Sequence, residues 1–130
     1  MYKKLAVMMM VLLPVLLGKL YAGELDGTEW KLKEKGIRGV LLFWRTDVLQ
    51  FANNQFTSAE CVPYGFKTTS YNSSKEGDKV TWNSLATNDK GEKMDWKGTK
   101  SGELMEGMFT WTKANGQSKV YAWKASKKSK

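Results

Sequence analysis

From Thr28 onward the chain runs in short segments that alternate polar and apolar residues, and each segment stops at a glycine or asparagine. Lys79-Val80-Thr81-Trp82 and Lys93-Met94-Asp95-Trp96-Lys97 show the period of two most plainly. Successive side chains on a strand point to opposite faces, so this pattern sets one face against a core and the other in water. No stretch of useful length repeats apolar residues at helical spacing. Thr28 to Lys35 places Trp30 and Leu32 on one face, and Gly36 and Gly39 bracket the turn that follows. Val40 to Trp44 is apolar throughout, the mark of a strand covered on both sides. Asp47 to Phe51 alternates again, with Asn53-Asn54 as the turn before Phe56.

The remaining connections are Lys75-Glu76-Gly77-Asp78, Asn88-Asp89-Lys90-Gly91, Lys100-Ser101-Gly102-Glu103 and Ala114-Asn115-Gly116-Gln117. Each sets glycine beside a polar residue suited to a tight turn. These segments predict an all-β antiparallel up-and-down meander of about eight strands. Rolling it into a small barrel removes the two exposed edges. Asn115-Gly116 is the strongest hairpin signal and predicts a two-residue type I′ loop. Ala114 then faces Gln117 and Trp111 faces Val120. Phe109, Trp111, Val120 and Ala122 share the inner face, with Met108, Tyr121 and Trp123 on the other.

Ahead of this rhythm stands a different kind of segment. Tyr2-Lys3-Lys4 is positively charged, and Leu5 to Gly18 is apolar apart from Pro14. A charged start, an apolar run of about fourteen residues and then small residues is the layout of a signal-peptide helix, with cleavage expected after Ala22. A helix that spans a bilayer needs roughly 20 apolar residues. The expectation is therefore a signal peptide over residues 1–22 and a periplasmic or secreted protein, without stable membrane insertion after cleavage. A retained anchor is the alternative.

Charge and composition narrow the function classes. The formal net charge is +8. Setting aside residues 1–22, which carry Lys3, Lys4 and Lys19, leaves 18 basic against 13 acidic residues. Lys124, Lys127, Lys128 and Lys130 belong to a tail read as basic and disordered over residues 124–130, so the body is close to neutral. A nucleic-acid surface needs basic residues clustered on the fold itself, so no nucleic-acid partner is expected. The chain has one cysteine and no histidine. That rules out a disulfide framework, His-assisted nucleophiles and His-ligated zinc. No cofactor, no metal and no enzymatic activity are expected. The carboxylates Asp47, Glu60, Asp95, Glu103 and Glu106 read as facing solvent, and Cys61 as a small buried apolar residue.

Six tryptophans in 130 residues are the most unusual feature. Each buries on the order of 200 Å². Inside a small barrel such rings either fill the space or line a ligand cavity. Trp30, on the first strand, reads as part of the packed interior. Gly98 and Gly107 read as structural positions beneath a ring. The candidate ligand wall is Trp82, Trp96, Trp111, Phe109 and Phe51.

Leu25-Asp26-Gly27-Thr28-Glu29-Trp30 at the head of such a meander resembles the opening of lipocalin-like (calycin-like) domains. Asp47-x-Leu49-x-Phe51, Phe56-x-Ser58, Gly65-Phe66, Trp96-x-Gly98 and Gly107 are similar to small exported bacterial β-barrel proteins of uncharacterised function. The resemblance implies a lipocalin-like domain over residues 23–123, shaped as a cup for a small apolar ligand. The leading expectation is a monomeric, non-enzymatic binding protein of the cell envelope. The alternative is an interaction or inhibitor module with a packed core, which docks on an envelope protein through Tyr64-Gly65-Phe66 or the outer aromatics of the last hairpin.

Overall fold

Turn chemistry sets the strand boundaries. The computed structural model describes residues 23–38 and 41–128, with side chains for residues 23–33 and 46–128. The expected signal peptide, Gly39, Val40 and the Trp44 side chain lie outside the described residues. Asn53 and Asn54 both hold positive φ, 53° and 62°, the type I′ geometry that joins two strands through two residues. Gly77 and Gly102 hold positive φ at the first of two turn positions, which is the type II′ alternative.

Nine strands lie among the described residues: β1 (Thr28–Arg38), β2 (Leu41–Ala52), β3 (Gln55–Ser58), β4 (Thr69–Ser70), β5 (Asn72–Glu76), β6 (Lys79–Thr87), β7 (Lys93–Ser101), β8 (Leu104–Thr112) and β9 (Ser118–Lys127). They form one antiparallel sheet in the order β4-β3-β2-β1-β9-β8-β7-β6-β5. The first and last strands pair, from Trp30 opposite Lys127 to Lys35 opposite Ala122. The backbone ladder is interrupted in mid-chain, where β4 meets the β5–β6 hairpin. Side chains bridge that seam. Ser84 Oγ donates to the Ser70 carbonyl at 2.8 Å, and Thr69 Oγ1 donates to the Leu85 carbonyl at 3.3 Å. The result is the expected all-β meander in a nearly closed barrel, with the two-residue β4 as the strand the alternation did not reveal.

Three expectations need correction. Gly36 lies within β1 and faces Phe43, so that hairpin is longer than the glycines suggested. Residues 124–127 are strand, not a disordered tail: β9 runs to Lys127 and buries Ala125. Lys124 lies on the outer face and Lys127 is exposed at the strand's end, and their charge hides the alternation that continues through Trp123 and Ala125.

The third correction concerns the last hairpin. Thr112 faces Ser118, and Trp111 faces Lys119. Lys113 N–H donates to the Gln117 carbonyl at 2.8 Å, and Gly116 N–H to the Lys113 carbonyl at 2.9 Å. Only Gly116 has positive φ, at 92°, so the loop has three residues, a turn followed by a glycine bulge. The register therefore slips by one residue, and a slip of one reverses the face of every side chain on one strand. Trp123 and Tyr121 point inward with Phe109 and Trp111, whereas Val120 is 58% exposed.

Aromatic rings form a continuous interior. Phe51 meets Tyr71 at 5.0 Å and Trp82 at 4.9 Å between centroids, Phe56 meets Trp96 at 5.3 Å, Trp96 meets Phe109 at 4.6 Å, and Phe109 stacks on Tyr121 at 4.9 Å. Cutting such a ring back to alanine in a packed core costs about 3–5 kcal/mol. Gly98 and Gly107 face one another across β7 and β8. A Cβ on Gly98 would strike the Trp82 indole and come within 2.8 Å of Trp123, and one on Gly107 would strike the Lys97 carbonyl. Two large indoles fit over this part of the sheet because it carries no side chains.

One end of the barrel is sealed. Leu25 and Trp30 are completely buried. Trp30 Nε1 donates to Thr28 Oγ1 at 2.9 Å, and that hydroxyl donates to the Leu25 carbonyl at 2.6 Å. Gly27 N–H donates to the Phe51 carbonyl at 2.8 Å. Asp26 accepts from Asn54 N–H and from the Tyr71 hydroxyl, which ties the entering chain to the Asn53-Asn54 turn and to the seam. Polar groups at the plug are thereby satisfied, as buried donors and acceptors require.

Candidate functional site

The opposite end of the barrel is hollow. A cavity of about 250 Å³ lies there, walled by Phe66, Met94, Trp96, Phe109, Trp111 and Tyr121, with Asp47, Glu60, Glu92 and Cys61 contributing polar atoms. Five elements supply most of the wall: β2, the β3–β4 connection, the start of β7, and the ends of β8 and β9 that meet at the Asn115-Gly116 loop. The period of two delivers Met94 and Trp96 from β7, and Phe109 and Trp111 from β8, to the same interior face.

The connection between β3 and β4 forms part of the rim. It contains one 3₁₀ turn, Val62–Tyr64, with Pro63 in its first turn and Gly65 in the left-handed region at its end. Phe66 drops into the interior, 4% exposed, whereas Tyr64 stands out at 62%. The expected exposed patch at Tyr64-Gly65-Phe66 is therefore divided between surface and core. Asn88 fastens this connection to the β6–β7 turn. Its Nδ2 donates to the Tyr64 carbonyl and to Glu92 Oε1, both at 3.0 Å, while its Oδ1 accepts from the amides of Lys90 and Glu92.

Two carboxylates give the cup its chemistry. Asp47 is buried, not exposed to solvent as the sequence suggested. It shares the inner face of β2 with Leu49 and Phe51, because all three are separated by two residues. Its Oδ1 accepts from Val48 N–H at 2.7 Å and from Glu60 N–H at 2.9 Å, and its Oδ2 accepts from the Ser58 hydroxyl. Burial pushes the Asp47 carboxyl above the ordinary carboxylate range, against the opposing effect of these donors. Glu92 uses its other oxygen, Oε2, to accept from Trp111 Nε1 at 3.1 Å. That bond fixes the plane of the Trp111 ring. Lys113 Nζ lies 5.3 Å from the same ring's centroid.

Of the five expected wall residues, Trp96, Phe109 and Trp111 line this cavity. Phe51 and Trp82 do not. They are 1% and 3% exposed and pack against Phe56 and Tyr71 toward the sealed end. Tyr121 joins the wall because of the slipped register, Phe66 through a loop with no periodicity, and Met94 beside Trp96. Asp47 was within reach of the alternation, since Leu49 and Phe51 identify its face. Glu92 was not, because it sits in a turn. Cys61 is half-buried in the cavity wall. Among the described residues no group of three or more histidine, cysteine, aspartate or glutamate side chains could hold a metal ion.

No family model matches the chain, and neither curated proteins nor solved structures yield a match. The architecture defines its class: an all-β, nearly closed antiparallel barrel with one sealed end and one hollow end, compatible with a lipocalin-like fold.

Proposed function

We propose that this chain is an exported, lipocalin-like, non-enzymatic carrier of the cell envelope that holds a small, mostly apolar molecule at the hollow end. The observation that carries the reading is the division of the interior, with one half packed and plugged and the other leaving about 250 Å³ behind aromatic walls. Ligand sites are typically concave and apolar with a few placed polar groups. This cavity lies just below the usual range of roughly 300–1,000 Å³, which favours a ligand smaller than a typical drug. The layout of residues 1–22 supports export, and the absence of histidine supports a binding role over nucleophilic catalysis.

Titration of isotopically labelled protein with 2-phenylethanol tests this by NMR. Shifts are expected at Met94, Trp96, Phe109, Trp111 and Tyr121, with Trp82 and Tyr71 unmoved. No shift at millimolar probe would sink the carrier reading.

A second reading, an interaction module, draws on the outer face of β8 and β9, where Leu104 is 65%, Met108 52% and Val120 58% exposed. Protein-sized adducts in native mass spectra of material from the host envelope would favour it. A small adduct of a few hundred daltons would favour the carrier.

A further inference from the structure

The cavity carries a charge bias that a purely apolar ligand would not use. Asp47, Glu60 and Glu92 line it, and no described lysine or arginine does. The chain as a whole is strongly basic, with 21 lysines and arginines against 13 acids. The wall is largely aromatic, with Trp96, Phe109, Trp111 and Tyr121 lining it. Aromatic faces are negative at the ring centre and attract ammonium groups. Trp111 donates its indole N–H to the Glu92 carboxylate, which enriches the ring's electron density, and it already engages the ammonium of Lys113 at 5.3 Å.

Building on the carrier reading, we propose that the ligand is a small organic cation: a protonated or quaternary amine on an apolar body. The apolar body sits against Phe66, Met94 and Trp96, and the ammonium lies toward Trp111, Tyr121 and the carboxylates of Asp47 and Glu92. Asp47 is 8% exposed, and a carboxylate taken out of water gains most from an arriving opposite charge. The cation needs no proton transfer or covalent step. It enters charged and leaves charged.

Three probes of nearly equal size separate the charge from the apolar body: 2-phenylethylammonium, 2-phenylethanol and phenylacetate, titrated by calorimetry at low ionic strength. The ammonium is expected to bind about tenfold more tightly than the alcohol, and phenylacetate more weakly than either. Substitutions Asp47→Asn and Glu92→Gln keep the size and most hydrogen-bonding capacity of each group. Each is expected to lower the ammonium-to-alcohol affinity ratio about threefold, with cooperative thermal unfolding confirming that the variants are folded. Equal binding of ammonium and alcohol, or an unchanged ratio in both variants, would overturn the cation assignment and leave the carrier reading standing. Preference for phenylacetate would also overturn it. Binding of none of the three would overturn the carrier reading itself.

Discussion

Tyr71 donates its phenolic hydroxyl to Asp26 Oδ1 at 2.7 Å and accepts the Leu25 amide at 3.1 Å. One side chain from the seam thus holds the segment that plugs the sealed end. Tyr71 is the residue between β4 and β5, where the backbone ladder stops. Its ring packs edge-on against Phe51, so the same residue completes the core and the plug.

Tyr71→Phe retains the ring and removes the hydroxyl. The buried Leu25 amide loses its acceptor, while the partly buried Asp26 retains the Asn54 N–H. Leaving such an amide unpaired costs about 1–3 kcal/mol, to be read from urea unfolding at neutral pH. Burial and the bond to Asp26 push the phenol above its ordinary value of 10.0. A proton held more tightly in the folded state stabilises it below pH 10, and that contribution fades as pH rises through the folded-state value. The wild type is therefore expected to lose stability in alkali more steeply than Tyr71→Phe.

Asp47→Asn tests the buried carboxyl. Burial raises its folded-state pKa above the ordinary 3.8, so the folded protein binds the proton more tightly than the unfolded chain. The contribution of this group is complete below the ordinary value and declines as pH rises through the folded-state one. The amide can still accept from Val48 and Glu60 and can donate to Ser58. The stability difference between variant and wild type should move in the variant's favour as pH climbs from 3 to 7. Denaturation curves across that interval that stay parallel would contradict the burial argument.

Gly107→Ala and Gly98→Ala are expected to differ. The added methyl at Gly107 meets the Lys97 carbonyl and the Gly98 Cα, which are backbone, whereas at Gly98 it meets mainly indole atoms of Trp82 and Trp123. Side chains can shift and paired strands cannot without losing their ladder. Overpacking costs typically 1–3 kcal/mol, with Gly98→Ala inside that range and Gly107→Ala beyond it. Thermal unfolding of both variants provides the comparison.

Phe51→Leu and Trp111→Leu should separate packing from binding. Phe51 is fully buried among rings, so its loss is expected to lower stability by about 1–3 kcal/mol and leave 2-phenylethanol affinity nearly unchanged. Trp111 is only partly buried at the cup wall, so its loss should weaken the probe several-fold with a smaller effect on unfolding. Equal effects of the two changes on probe affinity would dissolve the boundary between the packed and hollow halves.

Asn88→Ala removes the link between the β6–β7 turn and the Tyr64 carbonyl. Amide exchange is expected to accelerate over Cys61–Phe66 while the β7 and β8 amides stay protected, because local opening follows local contacts. Uniform acceleration would mean that Asn88 supports the whole barrel instead of its rim.

Local chemistry in the sequence determined the strand-and-turn rhythm. Alternation at Lys79–Trp82 and Lys93–Lys97 depends only on neighbours two apart, and the turns at Asn53-Asn54, Gly77 and Gly102 depend on φ values few other residues adopt. The glycines at 98 and 107 and the burial of Trp30 follow from the same local rules. Tertiary structure decided everything that needed two distant strands at once. A three-residue loop in place of two turned Tyr121 and Trp123 inward, since a register step of one reverses a face. Chain closure through β1 and β9 kept residues 124–127 in the sheet despite their charge. The division of the aromatic set, with Phe51 and Trp82 packed and Trp96, Phe109 and Trp111 facing the cup, reflects the height of each ring along the barrel axis. Alternation reports which side of a strand a residue faces and carries no information about that height.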